Sequence, residues 1–136
     1  MISPLDNLSN IRKLDQKGML DVLGRFDKQL EEALGIALEA GLPDATSPID
    51  SLLICGMGGS AIGGDILRVY LGSKLTIPLA VSRGYSIPTF ADSSTLAFIC
   101  SYSGNTEETL SAFQQAEKSN CRIVCVTSGG CLKKLS

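Results

Sequence analysis

Residues Leu96-Ala97-Phe98-Ile99-Cys100-Ser101-Tyr102-Ser103-Gly104-Asn105-Thr106-Glu107-Glu108-Thr109 decide how this chain is read. The first five are apolar and read as a buried strand. The amphipathic run Leu110 to Ala116 that follows reads as a helix, expected from about Asn105 to Ser119. The turn between them carries four hydroxyls, on Ser101, Ser103, Thr106 and Thr109. Asn105 with Glu108 three residues on fits a capping box. A helix N-terminus has unpaired N–H groups and a partial positive charge, so it can hold an anion. Hydroxyls donate to phosphate oxygens without adding charge. Capping needs one hydroxyl; four in one turn point to a binding site.

A second turn of the same logic lies upstream. Leu52-Leu53-Ile54-Cys55 is a short buried strand that runs into Gly56-Met57-Gly58-Gly59-Ser60-Ala61-Ile62-Gly63-Gly64-Asp65. A helix is expected from Ser60 to Leu71, stopping at Gly72. Ser60 then lies at the first turn, where its hydroxyl and neighbouring N–H groups face an anion. Close packing of helix on strand is the competing explanation for Gly63 and Gly64. Ile77 to Val81 reads as a second strand, leaving through Ser82-Arg83-Gly84-Tyr85. Arg122 to Val126 reads as a fourth, ending in Thr127-Ser128-Gly129-Gly130. Strands alternating with helices imply an α/β domain with a doubly wound parallel sheet and ligands at the C-terminal strand edge. Cys131 to Ser136 reads as the start of a helix, so the sheet is expected to be truncated before its last strand.

Upstream of the sheet, residues 1–16 are weakly patterned and are expected to form an N-terminal arm. From Lys17 to Ala40 a single helix is expected. Met19, Leu23, Phe26, Leu30, Ala33, Leu34 and Ala37 give it one apolar stripe, read as core in preference to a dimer surface. Gly41 and Pro43 end it, and Leu42 to Asp50 is a polar linker.

At 136 residues and 44% apolar composition, the chain suffices for one domain with its own core. A net charge of −2 without a basic run argues against nucleic acid as a partner. Histidine is absent, which excludes His-based triads, proton shuttles and metal sites within the chain. The five cysteines, Cys55, Cys100, Cys121, Cys125 and Cys131, follow no zinc spacing. Their odd number fits a reducing cytosol better than a disulfide framework. No segment is apolar enough to span a membrane, and no signal-peptide core is present, so a cytoplasmic protein is expected. No cofactor or metal is expected.

The combination GMGGSAIGGD, SRGY, SYSGNTEETL and VTSGG resembles the bifunctional phosphoglucose/phosphomannose isomerases, two-domain members of the sugar isomerase (SIS) superfamily. The resemblance extends to the helix around Lys17-Gly18-Met19-Leu20. It implies a flavodoxin-like first SIS domain over 17–136, incomplete at its C-terminus, with the second SIS domain absent, and a homodimer in the full-length protein. It also implies a sugar-phosphate substrate held by Ser101, Ser103 and Thr106 of the serine-rich turn, with Gly59 and Ser60 of the first loop. The family's catalytic glutamate, histidine, lysine and arginine are expected beyond Ser136, so no catalytic residue is assigned to this chain. Two other readings compete. Gly56-x-Gly58-x-x-Ala61 after a strand matches a dinucleotide fingerprint, and Ser82-Arg83 at the end of the next strand suits NADP. That reading leaves SYSGNTEET unexplained. SIS domains also serve as non-catalytic sugar-phosphate sensors, but no DNA-binding segment accompanies this one.

Overall fold

The computed structural model describes residues 7–41 and 47–135, and these two stretches belong to two compact units. The first unit is helical. α1 (Leu8–Leu14) lies within the segment expected to be an arm. The Asn7 carboxamide accepts from the Ser9 and Asn10 amides and caps it. The expected single helix is two, α2 (Met19–Gly24) and α3 (Phe26–Glu39), interrupted at Arg25. Gly18 enters α2 at a φ of 66°, and the Asp15 carboxylate accepts from the Met19 and Leu20 amides at 2.7 Å each. These bonds hold the Asp15 carboxyl below its ordinary range. The apolar stripe is not core: none of the described residues of α1–α3 is buried.

The second unit is a four-stranded parallel sheet made of β1 (Ser51–Gly56), β2 (Leu79–Ser82), β3 (Thr95–Cys100) and β4 (Arg122–Val126). Its spatial order is β2-β1-β3-β4. α4 (Gly58–Leu71) connects β1 to β2, and α5 (Glu107–Lys118) connects β3 to β4. α6 (Gly130–Leu135) follows β4. Each strand forms where the sequence places it, within about two residues.

Alternation along β1 divides the packing between two faces. Leu53 and Cys55, with Ala97 and Ile99 beside them on β3, meet Ala112, Phe113 and Ala116 of α5. Ile54 points the other way, toward α4. The β2–β3 connection forms no helix; it crosses to the α5 side, where Ala91 joins the core and the Tyr85 carbonyl accepts from Ser111 Oγ at 2.8 Å. Cys55 is buried and Cys100 half-buried, both in strands. Burial pushes their thiols up, to about 12 and about 11, which makes them packing groups rather than nucleophiles.

At the N-terminal edge of the sheet, Asp92 organises the entry to β3. Its Oδ1 accepts from the Ser94 hydroxyl at 2.7 Å and the Ser94 amide at 2.8 Å. The neighbouring Ser51 and Thr95 hydroxyls, both buried, bond each other at 2.9 Å. The Ser94 bonds hold the Asp92 carboxyl below its ordinary range.

Close packing accounts for only one of the paired glycines. A Cβ on Gly64 would stand 3.0 Å from Ile54 Cγ2 and 3.2 Å from Val81 Cγ2, whereas one on Gly63 would meet nothing within 4 Å. Gly64→Val should therefore cost about 1–3 kcal/mol through overpacking. Gly63→Ala should add up to about 1 kcal/mol through helix propensity. Urea unfolding of both variants measures the two signs. For Asp92 the folded-state value lies below the unfolded one, so its contribution is complete above the ordinary carboxylate range and is lost as pH falls through the folded value. The stability difference between the parent and Asp92→Asn should accordingly shrink on acidification from pH 6 to pH 3, as followed by thermal melts.

Candidate functional site

The strand order reverses direction around β1 and β3, so the loops leaving these two strands emerge side by side at a topological switch point. Gly56 pairs with Cys100 in the parallel register. A Cβ on Gly56 would lie 3.0 Å from the Cys100 carbonyl oxygen and 3.2 Å from Ser60 Cβ. Glycine at this position therefore lets the first turn of α4, which carries Gly59 and Ser60, close against the end of β3. Met57 is the N-cap residue of α4 and makes no side-chain cap, so the amides of the first turn have no side-chain acceptor. Ser60 is half-buried, and nothing stands within 4 Å of where a Cβ on Gly59 would be.

The structure brings Ser101 and Thr106 together. Their hydroxyl oxygens are 3.0 Å apart, and Ser101 Oγ also accepts from the Gly104 amide at 3.1 Å. Whichever hydroxyl donates to the other, one O–H of the pair remains for an outside acceptor. Ser103 is exposed at the tip, where its Oγ accepts from the Asn105 amide at 3.3 Å and its own proton is free. Thr106 is the N-cap of α5 but its side chain does not cap the helix. The first-turn amides of α5 thus have no side-chain partner, an arrangement suited to an anion. The fourth hydroxyl departs from expectation. Thr109 Oγ1 is buried and has no partner among the described residues, so it lies apart from the exposed tip of the turn.

The expected capping box is absent. Asn105 precedes the N-cap residue, and its Oδ1 accepts instead from the Cys131 amide at 2.9 Å. This bond belongs to a seam between the serine-rich turn and the loop after β4. The Ser101 amide donates to the Val126 carbonyl at 3.0 Å, and the Leu132 amide donates to the Gly104 carbonyl at 3.0 Å. The Tyr102 carbonyl accepts from both the Ser128 amide at 3.2 Å and the Ser128 hydroxyl at 2.6 Å. Gly104 has a φ of 67°, and a Cβ there would fall on the Gly129 carbonyl oxygen. Gly130 has a φ of 73°, and a Cβ there would fall on the Ser103 carbonyl oxygen. Local sequence rules favour a cap three residues away and do not register these partners more than twenty residues downstream. The only signal in the sequence was the recurrence of small residues in Thr127-Ser128-Gly129-Gly130.

The charges around the site are acidic rather than basic. Glu107 and Glu108 occupy the first turn of α5, and Glu107 Oε2 accepts from the Tyr85 hydroxyl at 3.3 Å. The Glu108 charge, partial desolvation and Glu107 together push the Tyr85 phenol above its ordinary range. Arg83, the residue that suits an NADP phosphate, is ion-paired with Asp65 of α4. No cluster of His, Cys, Asp or Glu among the described residues has the makings of a metal site.

A parallel sheet with uncapped helix N-termini and hydroxyl-bearing turns at its switch point is an α/β domain of the anion-binding kind. In solved structures the same fold recurs in a protein of Clostridium difficile 630 assigned as a phosphosugar isomerase. The match has a TM-score of 0.67 and 22% identity, over 89% of this chain and 35% of that one. Among curated proteins, the bifunctional phosphoglucose/phosphomannose isomerase of Caldicellulosiruptor bescii is 42% identical over 118 residues, 87% of this chain and 35% of the relative. The protein of the same name from Thermoplasma volcanium is 43% identical over 86 residues, 63% of this chain and 27% of the relative. No family model matches the chain. The chain is homologous to bifunctional phosphoglucose/phosphomannose isomerases, and it spans about a third of the length of the curated relatives it matches.

The seam predicts an unusually costly small substitution. Gly104→Ala combines a left-handed backbone conformation with a collision against backbone. It should cost more than about 2 kcal/mol, beyond the usual penalty of about 1 kcal/mol for a residue forced into that conformation. Chemical denaturation measures the loss. Gly59→Ala, in open space, serves as the control and should stay within about 1 kcal/mol of the parent.

Proposed function

We propose that this chain supplies the sugar-phosphate-binding half of an aldose–ketose isomerase that interconverts glucose 6-phosphate or mannose 6-phosphate with fructose 6-phosphate. The observation that carries this reading is the pairing of Ser101 with Thr106 beside an uncapped helix N-terminus. In this reading the phosphate is held by the hydroxyls of Ser60, Ser101, Ser103 and Thr106 and by the backbone at Gly59. The contributions are neutral donors and two helix dipoles. A dianion bound this way needs no lysine cluster, which suits a chain with a net charge of −2.

The reaction moves a proton between C1 and C2 through an enediol, and that step needs a carboxylate base over the carbon and an acid to open the ring. Glu107 and Glu108 are near the phosphate end and are explained as partners of the α5 dipole, with Glu107 also held by Tyr85. The proton-transfer groups are therefore assigned to the part of the longer relatives that this chain does not span. The working enzyme is read as a cytoplasmic homodimer of sugar-phosphate metabolism. No helix of the described residues is long and apolar enough to cross a membrane.

The dinucleotide reading predicts heat from NADPH in a calorimetric titration. The isomerase reading predicts heat from fructose 6-phosphate, none from NADPH, and no turnover by the 136-residue chain alone. Ser103→Ala should weaken sugar-phosphate binding by about 1.5–3 kcal/mol, the usual worth of a hydrogen bond to a charged group. A variant binding as tightly as the parent removes Ser103 from the site. Turnover by the pure chain overturns the division of labour.

A further inference from the structure

We propose that Ser128 is a positioning residue for the phosphate site, acting through the peptide that joins Tyr102 to Ser103. The inference rests on the reading of Ser103 as a phosphate donor. Ser128 directs both its amide and its hydroxyl at one acceptor, the Tyr102 carbonyl oxygen, at 3.2 Å and 2.6 Å. That oxygen belongs to the same planar unit as the Ser103 N–H. No peptide among the described residues is cis, so within that unit the carbonyl and the N–H point in opposite directions. Fixing the Tyr102 oxygen against the β4–α6 loop therefore turns the Ser103 N–H away from that loop. The Ser103 amide has no acceptor among the described residues, and the residue is exposed. An N–H held in one direction and left unpaired beside a hydroxyl-bearing tip is a preorganised donor for an anion.

The neighbouring contacts constrain position but not this direction. The Leu132 amide holds the Gly104 carbonyl and the Cys131 amide holds the Asn105 side chain, both beyond the peptide in question. The two glycine contacts keep the loops close, yet a peptide between Tyr102 and Ser103 can rotate while both neighbours stay in place. Ser128 is the residue that opposes that rotation. Its hydroxyl contributes the shorter of the two bonds, so Ser128→Ala removes that bond and leaves the backbone contact.

Two readouts on the 136-residue chain test this, one without ligand. Order parameters from nitrogen relaxation of the unliganded protein should fall at the Ser103 amide in Ser128→Ala, and Ser128→Thr, which keeps the hydroxyl, should restore them. Calorimetric titration with fructose 6-phosphate should show affinity about threefold to tenfold weaker in Ser128→Ala, the span expected of one net hydrogen bond, with recovery in Ser128→Thr. An unchanged Ser103 order parameter in Ser128→Ala overturns the proposal, as does failure of Ser128→Thr to restore it. A parent chain that binds no sugar phosphate defeats the proposed function instead. The relaxation comparison still decides whether Ser128 holds the peptide.

Discussion

The serine-rich turn is held in place by a contact between two stretches of bare backbone. Gly104 and Gly130 each take a left-handed conformation, and each lies so close to the opposite loop that a single added carbon would overlap a carbonyl oxygen. Only glycine satisfies both demands at once. Because the loops touch along their main chains, hydrogen bonds can run directly from one to the other, from Ser128, Cys131 and Leu132 to Tyr102, Asn105 and Gly104. The hydroxyls of the turn accept from amides within the turn, so their protons are not all used in holding it. Ser103 is exposed with its hydroxyl proton free, and one proton of the Ser101–Thr106 pair is left over.

The proposed function needs an anion site on an acidic chain. In that reading the charge attraction comes from oriented amides at the start of α4 and α5, whose N-termini carry no side-chain cap. Amides do not need to be desolvated as ions, and they are locked in direction before any ligand arrives. The acids that accompany them are partly managed by hydrogen bonding, as in the bond from Tyr85 to Glu107. Arg83, the nearby cation with the best claim on a phosphate, is already paired with Asp65. This pairing leaves the glycine loop without the partner that a dinucleotide reading requires.

Much of this was legible in the residues themselves. The parallel sheet follows from apolar runs bounded by glycine and hydroxyl-rich turns, and the strands formed where the runs stand. The grouping of Ser101 with Thr106 was legible because both belong to one short turn. What escaped was governed by distance along the chain or by helical phase. Asn105 looked like a local cap because its true partner is the amide of Cys131. Gly63 and Gly64 look equivalent in sequence, but one rotation of α4 points the second at Ile54 and the first at open space. In the first unit, the break at Arg25 carries no proline to announce it, and the apolar stripe of α2 and α3 read as core although its described residues are not buried.

The strand pairings join segments far apart in the chain. Leu52 meets Leu79, Ser51 meets Thr95, and Leu96 meets Arg122, so no two neighbouring strands are joined by a tight hairpin. Such a sheet closes late, because each pairing must overcome the entropy of a long loop before its contacts form. The seam between Ser101–Asn105 and Val126–Leu132 bridges β3 and β4 and comes into being only when that last pairing is made. During synthesis, a ribosome-bound chain that has emerged only as far as α5 has the hydroxyls but no shaped cradle. The shape of the serine-rich turn is completed only when β4 docks and the two glycine loops meet.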